Sequence, residues 1–154
     1  MMSAPLKTGL LGAGRIASGF GTPDDAMPLT LAHAVTLADG LQLGGFFDTR
    51  HDAALAAEKK WSCPESPRNR DAWLAEEWDI ICIATPDDQH ADDLEQILSL
   101  AKPPRVVLAE KPLCTDFARA EKLINLAKEK GIELALIMQE EDITVSGDPT
   151  RLRQ

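Results

Sequence analysis

The segment GLLGAGRIA, residues 9–17, ends an apolar run and spaces Gly12, Gly14 and Ala17 as GxGxxA. Gly12 permits a tight turn, Gly14 leaves the backbone bare toward a pyrophosphate, and Ala17 lets the next helix approach the strand closely. The amino end of that helix would offer N–H groups to the phosphates. A strand before the glycines and a helix after them favour a dinucleotide-binding turn. Its candidate cofactor contacts are Gly12, Gly14, Arg15, Ile16 and Ala17.

Apolar runs alternate with helix-like stretches along the rest of the chain. Five runs predict strands: LKTGLLGAG (6–14), LQLGGFFD (41–48), DIICIATP (79–86), RVVLAEKP (105–112) and IELALIMQ (132–139). Runs that are apolar at nearly every position are typical of strands covered on both faces, as in parallel sheets. The alternation therefore predicts an α/β fold, a doubly wound open parallel sheet with helices on both faces, in three α/β/α layers.

The stretches between these strands predict helices over 48–61, 70–77, 87–101 and 115–131. Asp48 or Thr49 is placed to cap the first of these helices, Thr115 is placed to cap the last, and Gly131 ends it. The apolar spacing predicts buried residues at Leu94, Ile97 and Leu98, and at Phe117, Ala120, Leu123, Ile124 and Ala127. The segment GTPDDAMPL, residues 21–29, predicts a loop between two pieces of the helix that follows the glycine turn.

An acidic residue closes the second predicted strand, where a dinucleotide fold uses a carboxylate to bind the adenosine ribose. Asp48 meets that need, although it lies 34 positions after Gly14, whereas about 20 is usual. The 21–29 loop accounts for most of the excess. Because the strand end and the glycine turn agree, we favour ribose binding over a helix cap alone. Asp48, Thr49 and Arg50 are the cofactor-binding candidates at this strand end. A carboxylate repels a 2′-phosphate and favours NAD, whereas Arg50 is either a solvated arginine or a partner for that phosphate, which leaves NADP open.

Length and charge set the class of protein. The 154 residues suit one ordinary domain, and 44% hydrophobic with 27% charged residues excludes a disordered or fibrous chain. The net charge of −9 makes nucleic acid and membrane surfaces poor partners. No apolar run is long enough to span a bilayer and no secretory signal is recognised, so we expect a soluble cytoplasmic protein. Three widely spaced cysteines suit neither a disulfide framework nor a metal site, and Cys82 is expected in the core.

Three segments together resemble a known family. They are GLLGAGRIA with the later Ala32, His33 and Ala34; DIICIATPDDQHADDL; and AEKPLCTDFARAEKLINLAKEKG. In this combination the chain resembles the nucleotide-binding half of the Gfo/Idh/MocA oxidoreductases over residues 6–139. The resemblance implies a Rossmann-type NAD(P)-binding fold with the cofactor at the carboxyl ends of the strands.

The resemblance also implies roles for residues after the third, fourth and fifth strands. The turn after the third strand would lie along the nicotinamide, with a histidine nearby, and a polar residue would follow the fifth strand. Lys111 of the Glu-Lys-Pro motif would approach the reacting carbon, bind the substrate oxygen and help move the proton, which makes it the catalytic candidate. These further cofactor-binding candidates are Ala84, Thr85, Pro86, His90, Glu110, Lys111, Pro112 and Gln139.

The family normally adds a second, larger α/β domain that supplies most substrate contacts, a catalytic histidine and the oligomer interface. We therefore expect a dinucleotide-binding domain over 1–139 and a tail, or the stub of a missing substrate domain, over 140–154. A piece of a longer protein, a truncated relative and a stand-alone protein that works with a partner all stay open. In each case cofactor binding is expected, and independent turnover is not.

The first functional hypothesis is an NAD(P)-dependent oxidoreductase that transfers hydride between the nicotinamide and a secondary alcohol or ketone of a sugar or polyol. The alternative is a non-catalytic NAD(H)-binding or sensing module, or a truncated family member that needs a partner domain. A third hypothesis, binding of a sugar nucleotide or S-adenosylmethionine, is disfavoured by the Glu-Lys-Pro motif. Apolar surface left by the missing domain also predicts that two copies can pair as a homodimer.

Overall fold

The computed structural model describes residues 3–137, which form one five-stranded parallel sheet in the order β2-β1-β3-β4-β5. The strands are β1 Leu6–Leu11, β2 Leu41–Phe47, β3 Ile80–Ile83, β4 Val106–Glu110 and β5 Glu133–Ile137. The predicted doubly wound sheet is confirmed. The chain passes from β1 outward to β2 and then returns to the other side of β1, so the strand order reverses between β1 and β3. In open α/β sheets such a reversal opens a crevice at the carboxyl ends of the strands.

Five helices cover the two faces of the sheet in the described range. They are α1 Leu31–Leu37, α2 His51–Lys60, α3 Arg70–Leu74, α4 His90–Leu98 and α5 Phe117–Glu129. One apolar cluster packs α1 and α2 against the sheet, and a second packs α3, α4 and α5 against its opposite face. Leu94, Ile97, Leu98 and Cys82 are fully buried as predicted. The three-layer architecture follows from these two clusters.

The helix after the glycine turn is short and interrupted. Over Arg15–Gly19 the chain forms a single π-helical turn, in which Gly19 N donates to Gly14 O at 3.1 Å and Phe20 N donates to Arg15 O at 3.3 Å. The chain then loops outward until Thr30 caps α1. This confirms the predicted loop over 21–29 between two helical pieces.

The open edge of β2 is covered by the segment that follows α2. Ser66 Oγ lies 3.0 Å from the N atom and 2.8 Å from the O atom of Phe46, and Ser66 N donates to Glu58 Oε1 at 3.0 Å. Glu58 is 1% exposed and pairs with Arg68. Burial by itself raises the pKa of Glu58, but hydrogen bonds from Arg68 and Ser66 outweigh it, so the pKa lies below its usual value. This polar cluster shields the edge strand from pairing with another chain.

The predicted N-terminal caps of α2 and α5 are wrong. Arg50 occupies the N-cap position of α2 without a side-chain bond, because the Asp48 carboxylate is used elsewhere and Thr49 precedes the cap. Asp116, and not Thr115, caps α5 by accepting a hydrogen bond from Arg119 N at 3.2 Å.

The predicted buried face of α5 is only partly correct. Leu123 and Ala127 are buried and Gly131 ends the helix with φ +67°, as expected. Phe117 is 84% exposed and Ile124 is 37% exposed, which contradicts the prediction. Phe117 is the first residue of the helix and lies about 120° from Leu123 around the helix axis, so it lies to one side of the buried stripe.

Gln139 and the predicted tail over 140–154 lie outside the described residues. Within residues 3–137, no helix combines the length and the apolar character needed to cross a membrane.

Candidate functional site

A cleft of about 440 Å³ opens at the carboxyl ends of β1, β2 and β3. It lies where the strand order reverses, which is the position at which open α/β sheets bind ligands. The cleft is lined by Gly12, Gly14, Arg15, Ile16, Phe47, Asp48, Thr49, Arg50, Arg70, Ala84, Thr85, Pro86 and Gln89. The fold therefore brings together the candidates that follow the first three strands, and it adds Phe47, Arg70 and Gln89.

The two glycines of the turn serve different purposes. Gly12 has φ +104°, and a Cβ there would lie 2.5 Å from Ala84 O, so both backbone conformation and packing require glycine. Gly14 has φ −78°, which other residues adopt, and a Cβ there would meet nothing within 4 Å. Glycine at position 14 thus keeps the cleft open, as a pyrophosphate close to the backbone would need. Ala17 is fully buried beneath the turn and supports it by packing.

Asp48 joins the end of β2 to the glycine turn. Ala13 N donates to Asp48 Oδ2 at 2.9 Å, and Arg50 N donates to Asp48 Oδ1 at 2.8 Å. A carboxylate offers about four acceptor positions, so each oxygen keeps one for a ligand hydroxyl. The Arg50 side chain is 71% exposed, with Nε 3.9 Å from Asp48 Oδ1. Asp48 therefore shapes the turn and still presents acceptors to the cleft.

The sequence analysis missed an ion pair at the cleft, between Arg70 of its lining and the buried Asp93. Arg70 donates from its NH2 group to Asp93 Oδ1 at 2.6 Å and from Nε to Gln96 Oε1 at 2.8 Å, while Thr85 Oγ1 donates to Asp93 Oδ2. Asp93 is 4% exposed. The sequence did indicate that Asp93 has a partner. Asp93 lies four positions before the buried Ile97 on α4, and an acid on an apolar helix face needs a partner. The identity of that partner depends on how α3 packs.

His90 lies behind the cleft and does not line it. The ring is 1% exposed, with Nδ1 2.7 Å from Pro112 O and Nε2 2.7 Å from Thr85 O. Both partners are carbonyl acceptors, so a neutral imidazole donates to one of them and packs against the other. His90 therefore lies between the turn after β3 and the segment after β4, in contact with both candidate cofactor-binding segments.

The Glu-Lys-Pro segment continues from the end of β4, beyond the lining of the cleft. Glu110 Oε1 is buried without a hydrogen-bond partner among residues 3–137, and Lys111 is exposed. Because this oxygen is closed off from solvent and Glu110 does not line the cleft, the described residues give it no contact with a ligand there. Pro112, which follows a cis peptide bond, contacts His90 through its carbonyl oxygen.

Solved structures of similar fold include several dehydrogenases. UDP-N-acetylglucosamine 3-dehydrogenase GnnA from Acidithiobacillus ferrooxidans is 28% identical, with a TM-score of 0.66 over 87% of this chain and 38% of that one. The WlbA dehydrogenase from Bordetella pertussis, in complex with NADH and UDP-GlcNAcA, is 22% identical, with a TM-score of 0.69 over 89% of this chain and 36% of that one. Myo-inositol 2-dehydrogenase from Lactobacillus plantarum is 20% identical, with a TM-score of 0.66 over 86% and 36%. At 22% and 20% identity, the last two show the fold alone.

The chain spans a little over a third of the length of these structures. No curated protein sequence matches it. A family model described as "Oxidoreductase family, NAD-binding Rossmann fold" matches residues 6–137, which is most of the chain. The match covers all five strands and both segments that His90 contacts. The chain therefore belongs to the Gfo/Idh/MocA oxidoreductase family, with that family's NAD-binding Rossmann fold.

Proposed function

We propose that this chain is the cofactor-binding part of an NAD-dependent oxidoreductase that acts on a secondary alcohol or ketone of a sugar or polyol. The observation that carries the proposal is the cleft where the strand order reverses, with the bare backbone of Gly14 at one wall and the Asp48 carboxylate at another. The name of the 28% identical structural neighbour, a nucleotide-sugar dehydrogenase, supports the substrate class.

The residues in the cleft fit a dinucleotide. Gly14 leaves room for the pyrophosphate, and Asp48 accepts hydrogen bonds from the adenosine ribose. When bound, NAD supplies or accepts the hydride. The exposed Lys111 binds the substrate oxygen and takes up or returns its proton.

The position of Asp48 favours NAD over NADP, because its carboxylate repels a 2′-phosphate. The exposed Arg50 is the residue that would favour NADP. NADPH is therefore the second ligand against which the preference for NADH is measured.

The remaining wall of the substrate site would come from another domain or chain, since this chain spans little more than a third of its structural neighbours. We propose a cytoplasmic protein whose apolar groove between α5 and β5, with exposed Ile124 and Leu136 along it, allows two copies to pair. Size-exclusion chromatography with light scattering tests the pairing, and a monomer at high concentration refutes it.

Calorimetric titration with NADH and NADPH tests the cofactor assignment. Asp48→Asn removes the charge and should weaken NADH binding about 5- to 150-fold, the equivalent of about 1–3 kcal/mol. It should weaken NADPH binding less, because the repulsion of the 2′-phosphate is lost. Asp52→Asn is the matched control, since Asp52 is an exposed acid in the first turn of α2, outside the cleft lining, and should bind NADH like the wild type.

Equal NADH affinity in the wild type and Asp48→Asn would refute the ribose-binding role. The alternative function, a non-catalytic NAD(H)-binding module, is separated by an activity assay on polyols in the presence of saturating NAD. Tight NADH binding without turnover supports the module, or a chain that needs its partner domain.

A further inference from the structure

Arg70 lines the cleft but has no part in the function proposed above. We propose that its guanidinium forms the platform on which the adenine ring of the cofactor stacks. This inference rests on the proposed function, because it takes the ligand of the cleft to be an adenine dinucleotide.

The position of Arg70 fits the base and not the phosphates. In a dinucleotide the adenine is attached to the ribose, so a ribose at Asp48 and a pyrophosphate at Gly14 place the base beyond Asp48. Arg70 lines the cleft, and its Cζ lies 5.8 Å from the ring centroid of Phe47, the residue next to Asp48. The guanidinium is therefore at the adenosine end of the cleft.

The guanidinium is held in place before any ligand binds. Gln96 and Asp93 accept hydrogen bonds along one of its edges, and Asp93 is itself buried and bound by Thr85. A guanidinium makes hydrogen bonds in its own plane, so the face that is not turned to the Phe47 ring is left for stacking. The side chain is 29% exposed, so the group is accessible from the cleft. A planar group fixed by its surroundings loses little conformational entropy when a ring stacks on it.

The charge of Arg70 is already balanced, which favours a flat base over a phosphate as its ligand. Asp93 Oδ1 lies 2.6 Å from the Arg70 NH2 group, so the pair carries no net charge. The nearby Arg50 is 71% exposed and 3.9 Å from Asp48, which leaves it freer to pair with a phosphate. Planar guanidinium groups stack on aromatic rings, and this attraction does not require an unbalanced charge.

The experiment compares NADH, NADPH and ADP-ribose as ligands of the wild type, Arg70→Met and Arg70→Lys. Both variants should bind all three about 3- to 30-fold more weakly, with the same factor for NADH and NADPH. Reduced nicotinamide mononucleotide, which lacks adenosine, should bind the variants like the wild type. Arg119→Met is the matched control, because Arg119 also pairs with two acids of α4, Asp92 and Glu95, but lies on the outer surface.

Arg70→Met leaves Asp93 buried without its partner, so the melting temperature of each variant is measured. Arg70→Lys keeps a cation beside Asp93 and provides the test if the methionine variant does not fold. Full NADH affinity in Arg70→Lys would overturn the stacking role, because charge without the planar group would then suffice. A loss confined to NADPH would overturn it in favour of phosphate binding.

The outcome also distinguishes this inference from the proposed function. If the wild type binds NADH in a manner that depends on Asp48, and the Arg70 variants bind it equally well, only the stacking role is wrong. If the wild type binds neither NADH nor ADP-ribose, the proposed function fails and the role of Arg70 fails with it.

Discussion

Alanine at Gly14 and at Gly12 should have opposite effects, although the two glycines are only two positions apart. At Gly14 the new methyl group meets no protein atom within 4 Å and φ is −78°, so the fold should accept it. Replacing glycine at a compatible position stabilises a protein by about 0.4–1 kcal/mol. The methyl group would enter the space proposed for the pyrophosphate, where overpacking costs about 1–3 kcal/mol. Gly14→Ala should therefore melt at or slightly above the wild-type temperature and bind NADH about 5- to 150-fold more weakly.

At Gly12 the same change should damage the fold. The methyl group would lie 2.5 Å from Ala84 O, about 0.9 Å short of the 3.4 Å at which ordinary contact begins, and φ is +104°. Strained backbone at a residue other than glycine costs about 1–3 kcal/mol, and the overlap adds about as much again, for a total of about 2–6 kcal/mol. For a chain of this size the melting temperature should fall by about 4–24 °C.

Differential scanning calorimetry and NADH titration on the same preparations separate the two effects. A folded Gly14→Ala that binds NADH as tightly as the wild type would show that no phosphate approaches this backbone. An unchanged melting temperature for Gly12→Ala would show that the turn does not pack against the end of β3 as described. Either result would remove the structural basis of the proposed cofactor site.

Two other predictions concern the region around α2 and the cysteines. The folded-state pKa of Glu58 is lowered, because hydrogen bonds from Arg68 and Ser66 outweigh the effect of burial. The ionised Glu58 therefore stabilises the fold above its unfolded-state pKa, and this stabilisation is lost as the pH falls through the folded-state pKa. Glu58→Gln should lower the free energy of unfolding by about 3 kcal/mol at pH 7. Urea titrations should show that this difference from the wild type shrinks below about pH 4.5. A difference that stays constant with pH would contradict the lowered pKa of Glu58. Burial raises the pKa of Cys63 and Cys82 to about 12, and the Glu58 charge contributes at Cys63. A thiol reagent at pH 8 should therefore label only Cys114 in the native protein. Rapid labelling of all three cysteines would contradict the raised pKa values.

The sheet and the glycine turn could be predicted from the sequence because they depend on local patterns. Five apolar runs separated by helical periodicity predict a parallel sheet, and the spacing of Gly12, Gly14 and Ala17 predicts the turn after its first strand. The 21–29 loop could also be predicted, because its two prolines are incompatible with the interior of a helix. Each of these features involves neighbouring residues, so no knowledge of distant packing was needed.

The errors on α5 show where local patterns stop. Thr115 and Asp116 are both good caps, and the helix begins where Asp116 can bond the N–H of Arg119. The exposure of Phe117 depends on which side of that first turn meets the sheet. Periodicity identifies a stripe of apolar residues, but the width of the stripe that is buried is set by the surface it packs against.

The chemical setting of the cleft is decided by contacts between distant parts of the chain. Asp48 reaches Ala13 across 35 positions, His90 reaches Pro112 across 22, and Arg70 reaches Asp93 across 23. The residue type is enough to predict that a buried acid or histidine has a partner, because an unpaired polar group in the core destabilises the fold. Only the packed sheet and helices settle which partner it meets, since hydrogen bonds require separations near 3 Å that local propensity does not control.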